Sequence, residues 1–523
     1  LAMLGSTAIP FEFAGLTAEA ETHGLRFIEP QVLPVKTVDE YFAALKKQGI
    51  VLDPEERKAA IRGQVMALVA SVGGVDKIDE DLLDEVNQLV EAPTALLGTF
   101  EDEHLKLPPE VLISVMKKHQ RYFPVLGKDG SLLPHFIIVR NGDKQGFETV
   151  TDGNAQVIRA RFADAKFFIN EDLKHKLPDM LEKLGTLTFQ QKLGSMLDKS
   201  IRIRKMVEVL GPQMGLTAAE QKTALRAAEL CKADLVTHMV VEMTSLQGVM
   251  GRYYARFSGE TEEVAQAIYD HYLPRFMGDA VPSSKAGLVV GLADRLDSLA
   301  GLFAAGLAPT GTKDPFAQRR TALGLVQILS AFNLDFDLNA GLALAAKNMP
   351  IPATEDSLKA SLDFIVGRLK NNLTDQGYRY DVVDAVLAEQ HINPAGTIRA
   401  VAELSNWVGK PDWTTILPAY SRCVRITRDQ KSAHTVNPDY FAEPSERDLY
   451  NEIERVEKLE RRSGSVDDLI KAFTPMIPAV NKFFDEVLVM AEDEKVRSNR
   501  LGLLQRISAL AKGTADFSFL EGF

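Results

Sequence analysis

The sequence has little cysteine. Cys231 and Cys423 are the two in 523 residues, far apart and outside any CxxC spacing. A disulfide framework and a cysteine-ligated zinc site are therefore not expected, and reduced cytoplasm is the compartment that fits. Long apolar runs are missing too. No stretch of about 18 apolar residues occurs, so no membrane span is expected. The opening LAMLGSTAIPFEF has no basic segment leading into an apolar core, so it does not read as a signal peptide. It starts on Leu rather than Met, which points to a processed or truncated N-terminus. No Ser–His–acid set, HExxH helix, fixed-period repeat or low-complexity tract is visible. Basic charge is not in excess either. Sixty Lys and Arg against 72 Asp and Glu leave a net charge of −12, which argues against indiscriminate nucleic-acid binding. A local basic stripe remains compatible with that balance, because charges act over only about 8–10 Å at physiological salt.

What is present reads as globular. The chain is 46% hydrophobic and 25% charged, ordinary values for soluble domains. Its length predicts roughly three to four domains. In the first part, RYFPV (121–125), a turn at GKDG (127–130) and HFIIVRNG (135–142) predict a hairpin, supported by the Asn141-Gly142 turn. Helical patterns cover 54–71 and 79–91, and the acidic run 76–86 reads as a solvated helix face. From about 154 onward the periodicity is helical. KLGTLTFQQKLG (183–194) reads as a connector and KNMPIPATEDS (347–357) as a linker. Helices are expected over 357–372 and 381–390, with Asn393-Pro394 starting another. The predicted fold is mainly α and multidomain. An α+β domain spans 1–150, a helical domain with its leading connector 151–345, a helical linker or body 346–414, and a C-terminal helical bundle 415–523.

Three stretches could carry chemistry. GLAPTGTKDPFAQRR (306–320) has the Gly306–Gly311 spacing of a nucleotide loop, but Lys313 falls one place late for a Walker A lysine. Leu292, Leu296, Leu299 and Phe303 make the preceding element a helix rather than a strand. Gly306 then ends that helix, and Asp314 with Pro315 starts the next. The corner still gathers Lys313, Arg319 and Arg320 at a helix N-terminus, where backbone N–H groups can hold an anion.

In ELCKADLVTHMVVE (229–242), Asp234, His238 and Glu242 follow an i, i+4, i+8 spacing that predicts one helix face. With His271 and Asp294 they resemble the layout of HD phosphohydrolases, which bind a metal and activate water. The family's His-Asp doublet is Ala233-Asp234 here, so Asp234, His271 and Asp294 are weak metal candidates at most. The expectation is an HD-like fold whose hydrolytic site has decayed, with His238 a surface or satisfied histidine. The third stretch is AYSRCVRITRDQK (419–431). Arg422, Arg425, Arg428 and Lys431 recur every three residues, a basic stripe that can pair with phosphates and stack on unpaired bases. A solvated face with ordinary salt bridges is the alternative. The Phe483-Phe484 pair farther on reads as helical core.

Long motifs add a resemblance. VLISVMKKHQRYFPV (111–125), GNAQVIRARFADAKFFINEDL (153–173), KADLVTHMVVEMTSLQGVMGRYYA (232–255), PTGTKDPFAQRRTALG (309–324) and NKFFDEVLVMAEDEKVRSNRLGLL (481–504) are similar to the beta subunit of bacterial glycyl-tRNA synthetase of the heterotetrameric type. The likeness runs over nearly the whole chain, without the family's usual N-terminal segment. It implies a tRNA-binding subunit of a cytoplasmic ligase that attaches glycine to tRNA(Gly). The partner would be a separate alpha subunit in an alpha2beta2 assembly. ATP and Mg²⁺ would be used on the alpha subunit, leaving no cofactor or catalytic residue on this chain. It also implies an HD-like domain that does not hydrolyse and a C-terminal anticodon-binding domain. Candidate tRNA contacts are then Arg159, Arg161, Lys313, Arg319, Arg320, Arg422, Arg425, Arg428, Lys431 and Arg500. An active HD-type phosphohydrolase acting on nucleotides and a non-catalytic helical scaffold are the rival readings.

Overall fold

Strands Pro93–Thr99, Phe123–Leu126 and Leu132–Asn141 form an antiparallel sheet with Leu132–Asn141 in the middle. Their alternation sorts side chains to two faces. Ala95, Leu97, Ile137 and Val139 meet Ile61, Val65 and Val69 of helix Pro54–Ser71 and Leu82, Leu83 and Val86 of helix Glu80–Leu89. On the other face, Phe136 stacks on Tyr122 at 5.1 Å, and Phe100 meets Phe162 of helix Phe147–Asp172 edge-on at 5.0 Å. Gly98 is required here, since a Cβ would lie 2.4 Å from the Phe136 ring. The computed structural model describes every residue except Phe27 and Lys431.

The chain divides into two units. The first holds Leu1–Lys176 with Leu235–Phe257, and the second Leu177–Asp234 with Ser258–Phe523. The sheet and its helices belong to the first. The expected hairpin is present, and so is a third strand, Pro93–Thr99, that the sequence reading omitted. The Asn141-Gly142 pair is not its turn. Asn141 ends a strand, and its Oδ1 accepts from Glu91 and Ala92 N–H at 3.0 and 2.8 Å. The turn falls at GKDG (127–130), as the sequence predicts, and Gly127 N–H bonds the Ser131 carbonyl at 2.8 Å.

The second unit is helical. At its centre, Lys285–Ala304 is apolar almost all round and buried along nearly its whole length, as such a composition demands. Helices Met196–Gln213, Ala218–Leu230, Glu262–Asp270, Gln318–Ala331, Leu338–Ala346 and Glu355–Asp375 pack around it. Helix Pro394–Val408 starts where expected, with the Asn393 side chain accepting from Gly396 N–H and Pro394 in the first turn. The last helices, Trp413–Thr427, Pro444–Glu457, Val466–Phe473, Ile477–Glu486 and Glu494–Ala509, bury Tyr420 against Phe473 and Phe517. Phe483 is core and Phe484 lies beside it, 5.7 Å between ring centres. The architecture is mainly α. Among the described residues no helix is long and apolar enough to cross a membrane.

Candidate functional site

The metal candidates of the sequence meet a lysine instead. Lys232 Nζ lies 2.7 Å from Asp294 Oδ2 and 2.9 Å from His271 Nε2. The His271 Nδ1 is 2.6 Å from the Ile268 carbonyl, which can only accept. Nδ1 therefore carries the proton, and Nε2 accepts from the ammonium. The lone pair a metal would need is already used. Close helix packing produces this geometry. Gly291 faces the His271 backbone, where a Cβ would come within 3.0 Å of its carbonyl oxygen.

A second lysine closes the other side. Lys199 Nζ contacts Asp294 Oδ1 and Asp297 Oδ2, both at 2.9 Å, and Ser298 Oγ at 2.8 Å. Arg202, one turn along the same helix, donates to both oxygens of Asp297 at 2.7 and 3.1 Å. Arg295 donates to the carbonyls of His271, Gly291, Tyr272, Leu273 and Pro274. Burial pushes the Asp294 carboxyl up, but the charges of Lys199 and Lys232 outweigh it and hold its pKa well below the usual range. Burial, followed by the charge of Lys232, drives His271 well below the ordinary histidine value, so the imidazole is neutral. The result is an ion network closed by internal cations.

Asp234 belongs to the second unit and is buried in the short helix Ala233–Val236. His238 and Glu242 belong to the first unit, and the single helix predicted to carry all three residues is interrupted before His238. Thr237 is extended and begins a new helix, His238–Glu242. His238 N–H and Nδ1 both meet Asp172 Oδ1 at 2.8 Å, while Met239 N–H and Tyr254 Oη bond Oδ2 at 3.0 and 2.7 Å. Among the described residues no group of three or more His, Cys, Asp or Glu is placed to hold a metal.

The corner at 306–320 is capped from within. Gly306 ends the preceding helix at φ +79°, as read from the sequence. The next helix begins at Gln318, not at Pro315. Asp314 accepts from Gln318 N–H at 2.8 Å and Arg319 N–H at 2.9 Å. That carboxylate is the anion at this helix start, so these amides are not open to an external phosphate. Arg319 donates to the Gly311 carbonyl. Lys313 and Arg320 are exposed, and among the described residues neither has a carboxylate partner.

The remaining candidates separate cleanly. Arg159 pairs with Glu101 at 2.7 Å, and Arg161 is 3.9 Å from Asp164. Arg500 is buried. It donates to Glu446 at 2.8 Å and to the Leu488 carbonyl at 2.9 Å, which holds helices Pro444–Glu457 and Glu494–Ala509 together rather than facing RNA. Lys431 lies outside the described residues. Arg422, Arg425 and Arg428 are exposed along helix Trp413–Thr427 and its end. Among the described residues none of the three is paired with a carboxylate. Arg422 sits over Phe484 at 4.4 Å, and Arg425 and Arg428 over Phe523 at 5.7 and 5.8 Å. Charges held against aromatic faces and open to solvent can take phosphates and stack on bases.

Sequence reasoning missed Lys199, Lys232, Arg202 and Asp297. A lysine between Cys231 and Ala233 in an apolar stretch was the available signal for Lys232.

Two family models match the chain. The family model described as "Glycyl-tRNA synthetase beta subunit" matches residues 1–388, and the one described as "DALR anticodon binding domain" matches 416–515. The chain is 42% identical over 532 residues to a Glycine--tRNA ligase beta subunit of Moorella thermoacetica, covering 99% of this chain and 76% of the relative. It is 41% identical over 518 residues to that of Clostridioides difficile, covering 97% and 74%. It is 40% identical over 539 residues to that of Myxococcus xanthus, covering 100% and 76%.

Proposed function

The chain belongs to the glycyl-tRNA synthetase beta-subunit family, and on that premise we propose that it grips tRNA(Gly) through Arg422, Arg425 and Arg428 while a separate alpha subunit carries out the chemistry. It is a subunit of glycine–tRNA ligase, an aminoacyl-tRNA synthetase, with an alpha partner and a C-terminal anticodon-binding domain. The observation that carries the RNA contact is the set of three exposed arginines, without carboxylate partners among the described residues, inside the stretch that matches the anticodon-binding model. Most of the chain's other arginine candidates are tied to carboxylates or carbonyls. An acidic protein with such a localised basic face can hold a folded RNA without binding every polyanion.

The finer reading follows the family. The assembly is alpha2beta2 and cytoplasmic, and ATP and Mg²⁺ are consumed at the alpha subunit. The exposed pair Lys313 and Arg320 offers a second contact, which we assign to the acceptor arm. The HD-like body is structural. Lys232 bonds both His271 and Asp294, which leaves the rival phosphohydrolase without its metal ligands. Glycine charging of tRNA by this chain, by its alpha partner and by the mixture tests the division of labour. Charging is expected from the mixture. Full charging by this chain alone would overturn it.

A further inference from the structure

A cavity of 190 Å³ opens at the edge of the first unit's core. Val65 and Val69 of helix Pro54–Ser71, Ile113 of helix Pro109–Ser114 and Phe123 of the sheet give it apolar walls. An apolar cavity of about 150 Å³ already holds a molecule the size of benzene, so this one has room for roughly six or seven carbon atoms. Three charged groups stand in the lining: Lys77, Asp79 and Lys117. Asp79 is committed. Its Oδ1 accepts from Leu82 N–H at 3.0 Å, and its Oδ2 pairs with the Lys117 ammonium. Lys77 is exposed, and among the described residues its ammonium has no carboxylate partner. Lys117 comes from a π-helical turn, Val115–His119, a rare geometry that recurs at functional sites.

We propose that this cavity binds a short aliphatic carboxylate, with its hydrocarbon between Val65, Val69, Ile113 and Phe123 and its carboxylate on the Lys77 ammonium. Burial of the hydrocarbon against those four side chains supplies the affinity. The charge supplies the choice of ligand. Two ammonium groups against one carboxylate leave the lining with a positive charge in excess, and that charge belongs to Lys77. A nucleotide is too large for the volume, and a sugar is too polar for the walls. An α-amino acid of the same skeleton would bring its own ammonium beside two lysines. The one carboxylate able to receive it, Asp79, is taken by Lys117 and by the helix start at Leu82. The cavity therefore selects the acid without the amino group.

The probe is isocaproate, titrated into the full chain and followed by methyl NMR of its Val and Ile side chains. Saturable shifts at Val65, Val69 and Ile113 are expected below about 10 mM. Isocaproamide and leucine should bind about fivefold more weakly, because neither carries the net negative charge that pairs with one ammonium. Lys77→Ala should bring acid and amide to equal affinity. Ile113→Phe fills the cavity from a half-buried position and should abolish the shifts at Val65 and Val69. Lys77 is exposed, so its removal does not threaten folding, and thermal melting checks both variants. If Ile113→Phe does not fold, Lys77→Ala decides alone. The proposal is overturned if no saturable shift appears at these residues, or if the amide or leucine binds as tightly as the acid. It is overturned as well if Lys77→Ala keeps the full preference, or if folded Ile113→Phe binds like the wild type. None of these outcomes touches the tRNA reading, whose own test lies at Arg425 and Arg428.

Discussion

The Lys232 ammonium donates to the Nε2 of His271 at 2.9 Å, which fixes the imidazole as the neutral Nδ1–H tautomer. Lys232→Ala removes both that donor and the nearest positive charge. The His271 pKa should then rise toward 6.5, the ordinary value, followed by NMR titration of the ring. Asp294 loses one of its two ammonium partners, so the helical unit should be destabilised by about 3–5 kcal/mol in denaturant unfolding. An unmoved His271 titration would mean that burial alone sets its pKa.

Acid should weaken the same unit in two steps. The folded His271 pKa lies below its unfolded value, so the unfolded chain binds more protons as pH falls through about 6.5. Stability is full above that pH and declines below it. The folded Asp294 pKa is also depressed, and its contribution is lost only as pH falls below the ordinary carboxylate range near 3.8. Melting temperatures measured from pH 8 to pH 5 should fall in the wild type. His271→Gln, which does not titrate, should flatten that part of the curve.

Reversing charge on the arginine face should act on RNA binding and not on folding. Arg425→Glu with Arg428→Glu removes two phosphate contacts. The slope of log affinity against log salt should shrink by about one for each arginine lost. Filter binding of tRNA(Gly) at several salt concentrations gives that slope. An unchanged affinity and slope would exclude these residues from the interface.

Arg500 should behave in the opposite way. Its guanidinium neutralises the buried Glu446, so Arg500→Ala leaves that carboxylate unpaired at a cost of about 3–5 kcal/mol. The protein that remains folded should show the wild-type salt slope. A reduced slope at full stability would instead make Arg500 an RNA contact.

The legible parts of the sequence were those whose cause is local. Asn393-Pro394 starts a helix because the Asn side chain and the Pro φ act within one turn. Gly306 ends one because it reaches a positive φ without strain. The helical character of the centre and the C-terminal bundle could be read for the same reason, from apolar periodicity. The site depended on partners far along the chain. The carboxylate that buries Arg500 is 54 residues away, and the Lys232–Asp294 contact spans 62. Charge type alone gives no sign of such a partner, and lysine reads as surface by default. The i, i+4, i+8 spacing of Asp234, His238 and Glu242 makes one face only on an unbroken helix. Thr237 breaks it because Asp172 caps the new helix with both carboxylate oxygens.

The return of Leu235–Phe257 to the first unit has a consequence for biosynthesis. Asp172 reaches its partners His238 and Tyr254 only 66 and 82 residues later. At ribosomal rates of about 5–20 residues per second, the carboxylate must wait on the order of 3–16 s for them. During that interval the sheet and its helices are already synthesised, but the segment that seals Asp172 is not. No single cut in the gene releases either unit whole, and a nascent chain that stalls between residues 177 and 234 leaves the first one unfinished.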